Sequence, residues 1–232
     1  MVCLSKNKAK LTHSISLMVC TVIFAILLPI SGCATYSAKD IHGQVVDDAT
    51  GVPLDGVVIV AQWLLERSMV GDNNALLKAM ETVTDKGGSY TFPAWGPVTL
   101  PARADFRAGR DPKVVYFKIG YWPESEQNEL LNDIRHRSTP LGAFRGNGKT
   151  IRLKKWDGKG EEYWSQLDVL ANRMPSFYGV NWKNFPRMTW AIEQENRRYK
   201  ASGNHFFGIH VDGFMFENLS NEDREFLRRY GE

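Results

Sequence analysis

His205, His210 and Asp212 stand close together in Asn204-His205-Phe206-Phe207-Gly208-Ile209-His210-Val211-Asp212. Imidazole and carboxylate are metal ligands, but a site needs two of them on one face and a third from elsewhere. The spacing of the two histidines puts them on opposite faces of a strand and aligns them poorly on a helix. Only His210 and Asp212 would share a strand face, so the group reads as surface or hydrogen-bonded side chains, and no metal is expected. Glu124, Glu126, Glu129 and Asp133 could supply the paired carboxylates of acid–base catalysis. They stand among Ser, Gln and Asn, which is the composition of a solvated helix face. Arg145-Gly146-Asn147-Gly148-Lys149-Thr150 has the flavour of a phosphate loop, yet Ala143 occupies the position where that motif needs its first glycine. The segment also leads into a predicted strand, so no helix N-terminus is offered to a phosphate, and a turn is expected. Neither a Gly-x-Ser-x-Gly nucleophile elbow nor a His-x-x-Glu zinc motif occurs. These residues assign no catalytic group and no cofactor.

Binding chemistry is carried by aromatics. Trp95, Tyr121 and Trp122 lie near predicted turns. At one end of a β-sandwich such rings can stack on a sugar or grip a partner peptide; under insertions they would instead cover the core.

The elements that must position these residues begin with an address. Lys6, Lys8 and Lys10 precede an apolar stretch from Leu17 to Ile30, and no charged residue occurs between Lys10 and Lys39. A positive start followed by an apolar run is the pattern of an export signal, and the run is short for a membrane span. It ends in Ile30-Ser31-Gly32-Cys33, which resembles the lipobox of bacterial lipoproteins. The resemblance implies removal of residues 1–32, a diacylglyceryl group on the Cys33 thiol, and residues 33–39 as a lipidated tether. With Ala34 rather than an aspartate after the cysteine, it further implies transfer to the outer membrane, facing the periplasm. Two or three acyl chains anchor stably where one would not. The remaining cysteines, Cys3 and Cys20, lie in the segment to be removed, so the mature chain would have neither a free thiol nor a disulfide.

The whole chain has 232 residues, 43% hydrophobic and 24% charged, with a formal net charge of +3. That composition is globular and long enough to bury a core without disulfides. The excess charge resides in the three lysines of the leader. Without them the chain is neutral, which removes any bulk electrostatic reason to bind nucleic acid.

From residue 40 to 156 the patterning is that of short strands. Ile41–Val46 and the β-branched run Val57–Ala61 flank the turn-forming Asp47-Asp48-Ala49-Thr50-Gly51-Val52-Pro53. Thr82–Phe92, with Asp85 and Gly87-Gly88 at its centre, reads as a hairpin. Further strands are expected at Val98–Phe106, Val114–Ile119 and Thr150–Lys155. The period then changes. Glu161–Met174, stopped by Pro175, and Arg187–Ser202, stopped by Gly203, read as helices, and Ser220 caps a last one carrying Phe226, Leu227 and Tyr230. The fold class is therefore mainly β: an antiparallel sandwich with insertions at Leu64–Met80 and Trp122–Lys149. A helical extension, 157–232, packs on it.

Gly43-x-Val45-x-Asp47, Thr50-Gly51-x-Pro53-Leu54-x-Gly56-Val57-x-Ile59 and Thr84-Asp85-x-x-Gly88-x-Tyr90-x-Phe92, with Gly120-Tyr121 after a late strand, together resemble the carboxypeptidase regulatory-like family. The resemblance implies a transthyretin-like (Ig-like) sandwich used as an accessory module, without catalytic residues of its own. The expected function is then a non-enzymatic envelope lipoprotein, membrane-bound through Cys33, that binds or scaffolds a protein or cell-wall partner. Narrower alternatives are an accessory lipoprotein of a secretion or export machine, and a periplasmic hydrolase of peptides or peptidoglycan built on His205, His210 and Asp212.

Overall fold

The computed structural model describes residues 35–67, 75–100, 104–106, 112–128, 142–158, 162–173, 183–201 and 219–231. Ile30 to Cys33, Glu129, Asp133, His205, His210 and Asp212 lie outside them. By contacts the chain divides into Met1–Thr35 and Tyr36–Glu232, and the second unit carries the sheets and helices that follow.

The protein is mainly β. Strand β2 (Ile41–Asp47) lies between β5 (Ser89–Phe92) and β10 (Thr150–Leu153). The longer sheet runs β4 (Ala75–Val83), β3 (Val58–Arg67), β8 (Lys113–Phe117), β9 (Glu124–Gln127), with β7 (Ala104–Phe106) pairing the far end of β3. In these two sheets pairing is antiparallel except between β10 and β2, which are parallel with Ile151 opposite Val45. A parallel neighbour so distant in sequence is invisible to patterning, which registers hairpins. A two-stranded sheet joins β1 (Thr35–Ala38) to β6 (Trp95–Thr99). Residues 35–38, expected as tether, are thus a strand: Tyr36 and Ala38 are buried while Thr35 and Ser37 face outward.

The run at Val57–Ala61 is buried on both faces, as an unbroken β-branched segment requires. On one side Ile59, Ala61 and Trp63 of β3, with Val114 and Tyr116 of β8, meet Ile41, Val45, Tyr90, Phe92, Ile151 and Leu153 of the smaller sheet. The hydroxyls of Tyr90 and Tyr116 satisfy each other at 3.0 Å inside this core. On the other side Val58, Val60, Val115 and Phe117 meet helices α1 (Glu162–Arg173), α2 (Pro186–Ala201) and α3 (Asn221–Gly231) through Tyr163, Leu167, Met188, Ile192 and Leu227. Helices thus cover a face of the sandwich; α1 and α2 lie within a residue of their expected spans, and α3 follows the cap expected at Ser220.

Thr82–Phe92 is not a hairpin. Its first half ends β4 in the longer sheet and its second half is β5 in the smaller one. The local turn does form: Asp85 Oδ1 accepts from Gly87 N at 2.8 Å and Ser89 N at 2.9 Å. Thr84, however, is tied to the start of β3, donating its hydroxyl to Leu54 O at 2.6 Å and accepting from Val57 N at 2.9 Å. Across the turn, Gly88 O accepts from Val45 N. The turn is a corner between sheets. Leu64–Met80, expected as an insertion, largely extends β3 and β4 into a long antiparallel pair.

Candidate functional site

The structure does not gather the predicted aromatics. Trp95 is half-buried between Tyr36 (ring centroids 5.4 Å apart) and Trp63 (5.1 Å, edge-on), on the inter-sheet side. Trp122 meets Tyr163 edge-on at 5.3 Å on the helical side. Tyr121 follows the turn at Gly120 and donates its hydroxyl to Asp47 Oδ2 at 3.2 Å. Asp47 Oδ1 also accepts from Ala49 N, Thr50 N and the Thr50 hydroxyl, closing the turn after β2. These bonds from Thr50, outweighing burial, hold the Asp47 carboxyl below its usual range.

Glu124 and Glu126 belong to edge strand β9 rather than to a helix. Burial raises the Glu124 carboxyl, with Glu126 adding to the shift against a bond from Ser125 N. Glu126 lies 3.7 Å from Lys149 Nζ. The Arg145–Lys149 segment is a turn leading into β10: Asn147 N donates to Phe144 O and Lys149 N to Gly146 O. Asn147 Oδ1 accepts from His42 N at 2.7 Å, stapling the turn to β2.

Sequence reasoning missed the polar groups of the helical layer. Glu195 on α2 is fully buried, and Tyr163 on α1 donates to its Oε1 at 2.6 Å. Arg198 reaches Oε2 through Nε at 2.7 Å and Oε1 through Nη2 at 2.5 Å. The Arg198 guanidinium lies 4.9 Å over the Trp156 ring, and Trp156 stacks on Tyr163 at 4.3 Å and 9°. Burial, reinforced by the carboxylate, pushes the Tyr163 phenol far up, and the Glu195 bonds keep Arg198 charged. The spacing of Glu195 and Arg198 was legible as an ion pair; that the pair faces inward was not, because α2 is polar over much of its surface. Glu81 on β4 closes the start of α2, accepting from Met188 N at 2.6 Å and Arg187 N at 3.1 Å.

Cavities open at the helical layer. One of about 320 Å³ has an apolar floor of Val58, Val83, Phe117 and Ala191 and the cations Lys118 and Arg187 among its lining residues. Another, about 180 Å³, lies between α2 and α3 and is lined by Trp190, Glu193, Arg197, Leu219, Arg224 and Leu227, with Arg228. Among the described residues no cluster of three His, Cys, Asp or Glu side chains is placed to hold a metal ion. Nor, among them, is any helix long and apolar enough to cross a membrane. What this surface offers chemically is fixed charge beside apolar hollows, a means of holding a ligand.

Fold and surface together define a β-sandwich covered on one face by helices. No protein-family model matches the chain, and no curated protein matches it. Among solved structures the chain is similar to 3-chlorocatechol 1,2-dioxygenase from Rhodococcus opacus 1CP, at 16% identity and a TM-score of 0.31. That likeness covers 54% of this chain and 62% of the dioxygenase, less than two thirds of its length.

Proposed function

We propose that this is a lipoprotein of a bacterial cell envelope whose sandwich and helical layer bind or scaffold a partner. The observation that carries the reading is Ile30-Ser31-Gly32-Cys33 behind a lysine-bearing, otherwise uncharged leader. Acyl chains on Cys33 would moor the chain to the bilayer, with the outer membrane, periplasmic side, as its destination. The sandwich itself acts in the manner of the carboxypeptidase regulatory-like modules its turn motifs resemble, as a presenting scaffold. Its work is recognition of a protein or cell-wall partner, and Cys33 is its anchor.

Mass spectrometry of the protein isolated from its native host tests this. The expected species begins at an acylated Cys33, fractionates with membranes, and is lost from them in Cys33→Ala. An unmodified, full-length chain in the cytosol would overturn the proposal.

A further inference from the structure

The helices α2 and α3 flank a cavity whose wall is chemically uneven. Trp190, Glu193 and Arg197 are spaced so that one face of α2 lines it, and Arg224, Leu227 and Arg228 do the same from α3. Glu193 is 8% exposed. Its Oε1 accepts from Arg197 Nε at 2.7 Å, while its Oε2 is buried and has no hydrogen-bond partner. One turn further along α2 the buried Asn196 Oδ1 is in the same condition. An unmet buried acceptor is costly, more so when charged, and such groups in native structures call for an explanation. A donor arriving from outside supplies one.

The rest of the lining calls for the opposite charge. Three arginines and a single carboxylate, that of Glu193, line the cavity. Arg197 and Arg228 are exposed, and the bond of Arg228 to Glu225 Oε1 is long, 3.3 Å, between two open side chains. A guanidinium has five N–H donors, so one such bond leaves it able to bind an anion. Trp190, Leu219 and Leu227 add apolar wall. A volume of about 180 Å³ falls below the roughly 300–1,000 Å³ of pockets for drug-sized ligands, so the occupant is compact.

We infer that this cavity binds a small organic anion bearing a hydrogen-bond donor near its charge and a short apolar body, the chemistry shared by free α-amino acids and 2-hydroxy acids. The donor meets the Glu193 carboxylate, the anionic group meets the arginines, and the apolar body lies against Trp190 and Leu227. The site is separate from the anchor and does not depend on acylation.

Isothermal titration calorimetry on the full-length protein in detergent tests it with related probes: L-leucine, 2-hydroxyisocaproate, isocaproate (no donor) and isopentylamine (no anion). L-Leucine or 2-hydroxyisocaproate is expected to bind, and whichever binds more tightly shows whether ammonium or hydroxyl is the preferred donor. Isocaproate and isopentylamine are expected to bind at least tenfold more weakly. Glu193→Gln and, separately, the exposed Arg228→Gln are each expected to weaken the better ligand about tenfold, with the far-ultraviolet circular dichroism of each variant unchanged. The inference is overturned by any of three results: no binding of either bifunctional probe at millimolar concentration, equal binding of the probes lacking one function, or unchanged affinity in Arg228→Gln. The Arg228 variant, altered only at the surface, decides the matter should Glu193→Gln fail to fold.

Discussion

Glu81 joins a strand edge to a helix start, and its two carboxylate oxygens take the amide protons of Arg187 and Met188. First-turn amides have no partner within their own helix, and a negative charge there is favoured by the helix dipole. Burial works against that charge. It outweighs the two backbone bonds and the nearby Arg187, and raises the carboxyl from 4.5 to about 7. The unfolded chain releases this proton near 4.5 while the folded protein keeps it until about 7. Folding therefore takes up a proton in that window, and the contribution of Glu81 to stability falls as pH rises through it, then stays level. The full change is about 3 kcal/mol. Calorimetric melting between pH 5 and 8 should show the native protein losing stability relative to Glu81→Gln as pH rises; parallel curves would refute the assignment. Tyr163 poses a simpler case. Tyr163→Phe removes one donor from Glu195 but leaves Arg198 in place, so a loss of about 1–2 kcal/mol is expected in chemical denaturation, with the fold retained. Neither residue was legible as a site in the sequence. A glutamate in a strand and a tyrosine in a helix reveal their partners only when β4 meets α2 and α1 meets α2.

Among the elements, helices were readable and strand partners were not. Apolar residues at helical spacing, with Pro175 and Gly203 as stops, placed α1 and α2 within about a residue of their observed ends. Both signals are local. The partner of β5 is instead β2, far back in the chain, and the partner of β10 is the same strand in parallel. β9 was misread as a helix face because Glu124–Gln127 is polar throughout, which is how an edge strand resists pairing with another chain. The corner between β4 and β5 shows what the turn motifs contribute. Gly88 has φ +71°, and a Cβ there would overlap the carbonyl oxygen of Val45. Gly51 has φ +70° but nothing within 4 Å of the same position. Gly51→Ala therefore incurs only the backbone term, about 1–2 kcal/mol. Gly88→Ala adds a steric conflict with β2 and should cost at least about twice as much. Urea midpoints of the two variants give the comparison, and equal losses would mean that the corner yields freely.

Across the whole molecule, β3 and β8 belong to both cores at once. Their even and odd side chains serve different layers: Ile59 and Tyr116 the second sheet, Val60 and Phe117 the helices. If the helical layer melted alone, Val58, Val60, Val115 and Phe117 would be left facing water in the middle of a sheet. At about 1.5–3 kcal/mol for each side chain, that exposure amounts to roughly 6–12 kcal/mol, comparable to the whole net stability of a domain. Helices and sandwich should therefore unfold together, although the sequence pattern divides them sharply at Trp156. Ile59→Ala strikes the inter-sheet core and Ile192→Ala the helical one, both at fully buried positions. Each should lower stability by about 2–5 kcal/mol. The helical dichroism and the tryptophan fluorescence, whose chromophores include Trp63 in one core and Trp156 in the other, should report one coincident transition in both variants. A helical signal lost ahead of the fluorescence in Ile192→Ala would show that the layer is a separable cap, and that the doubly covered sheet is stable without it.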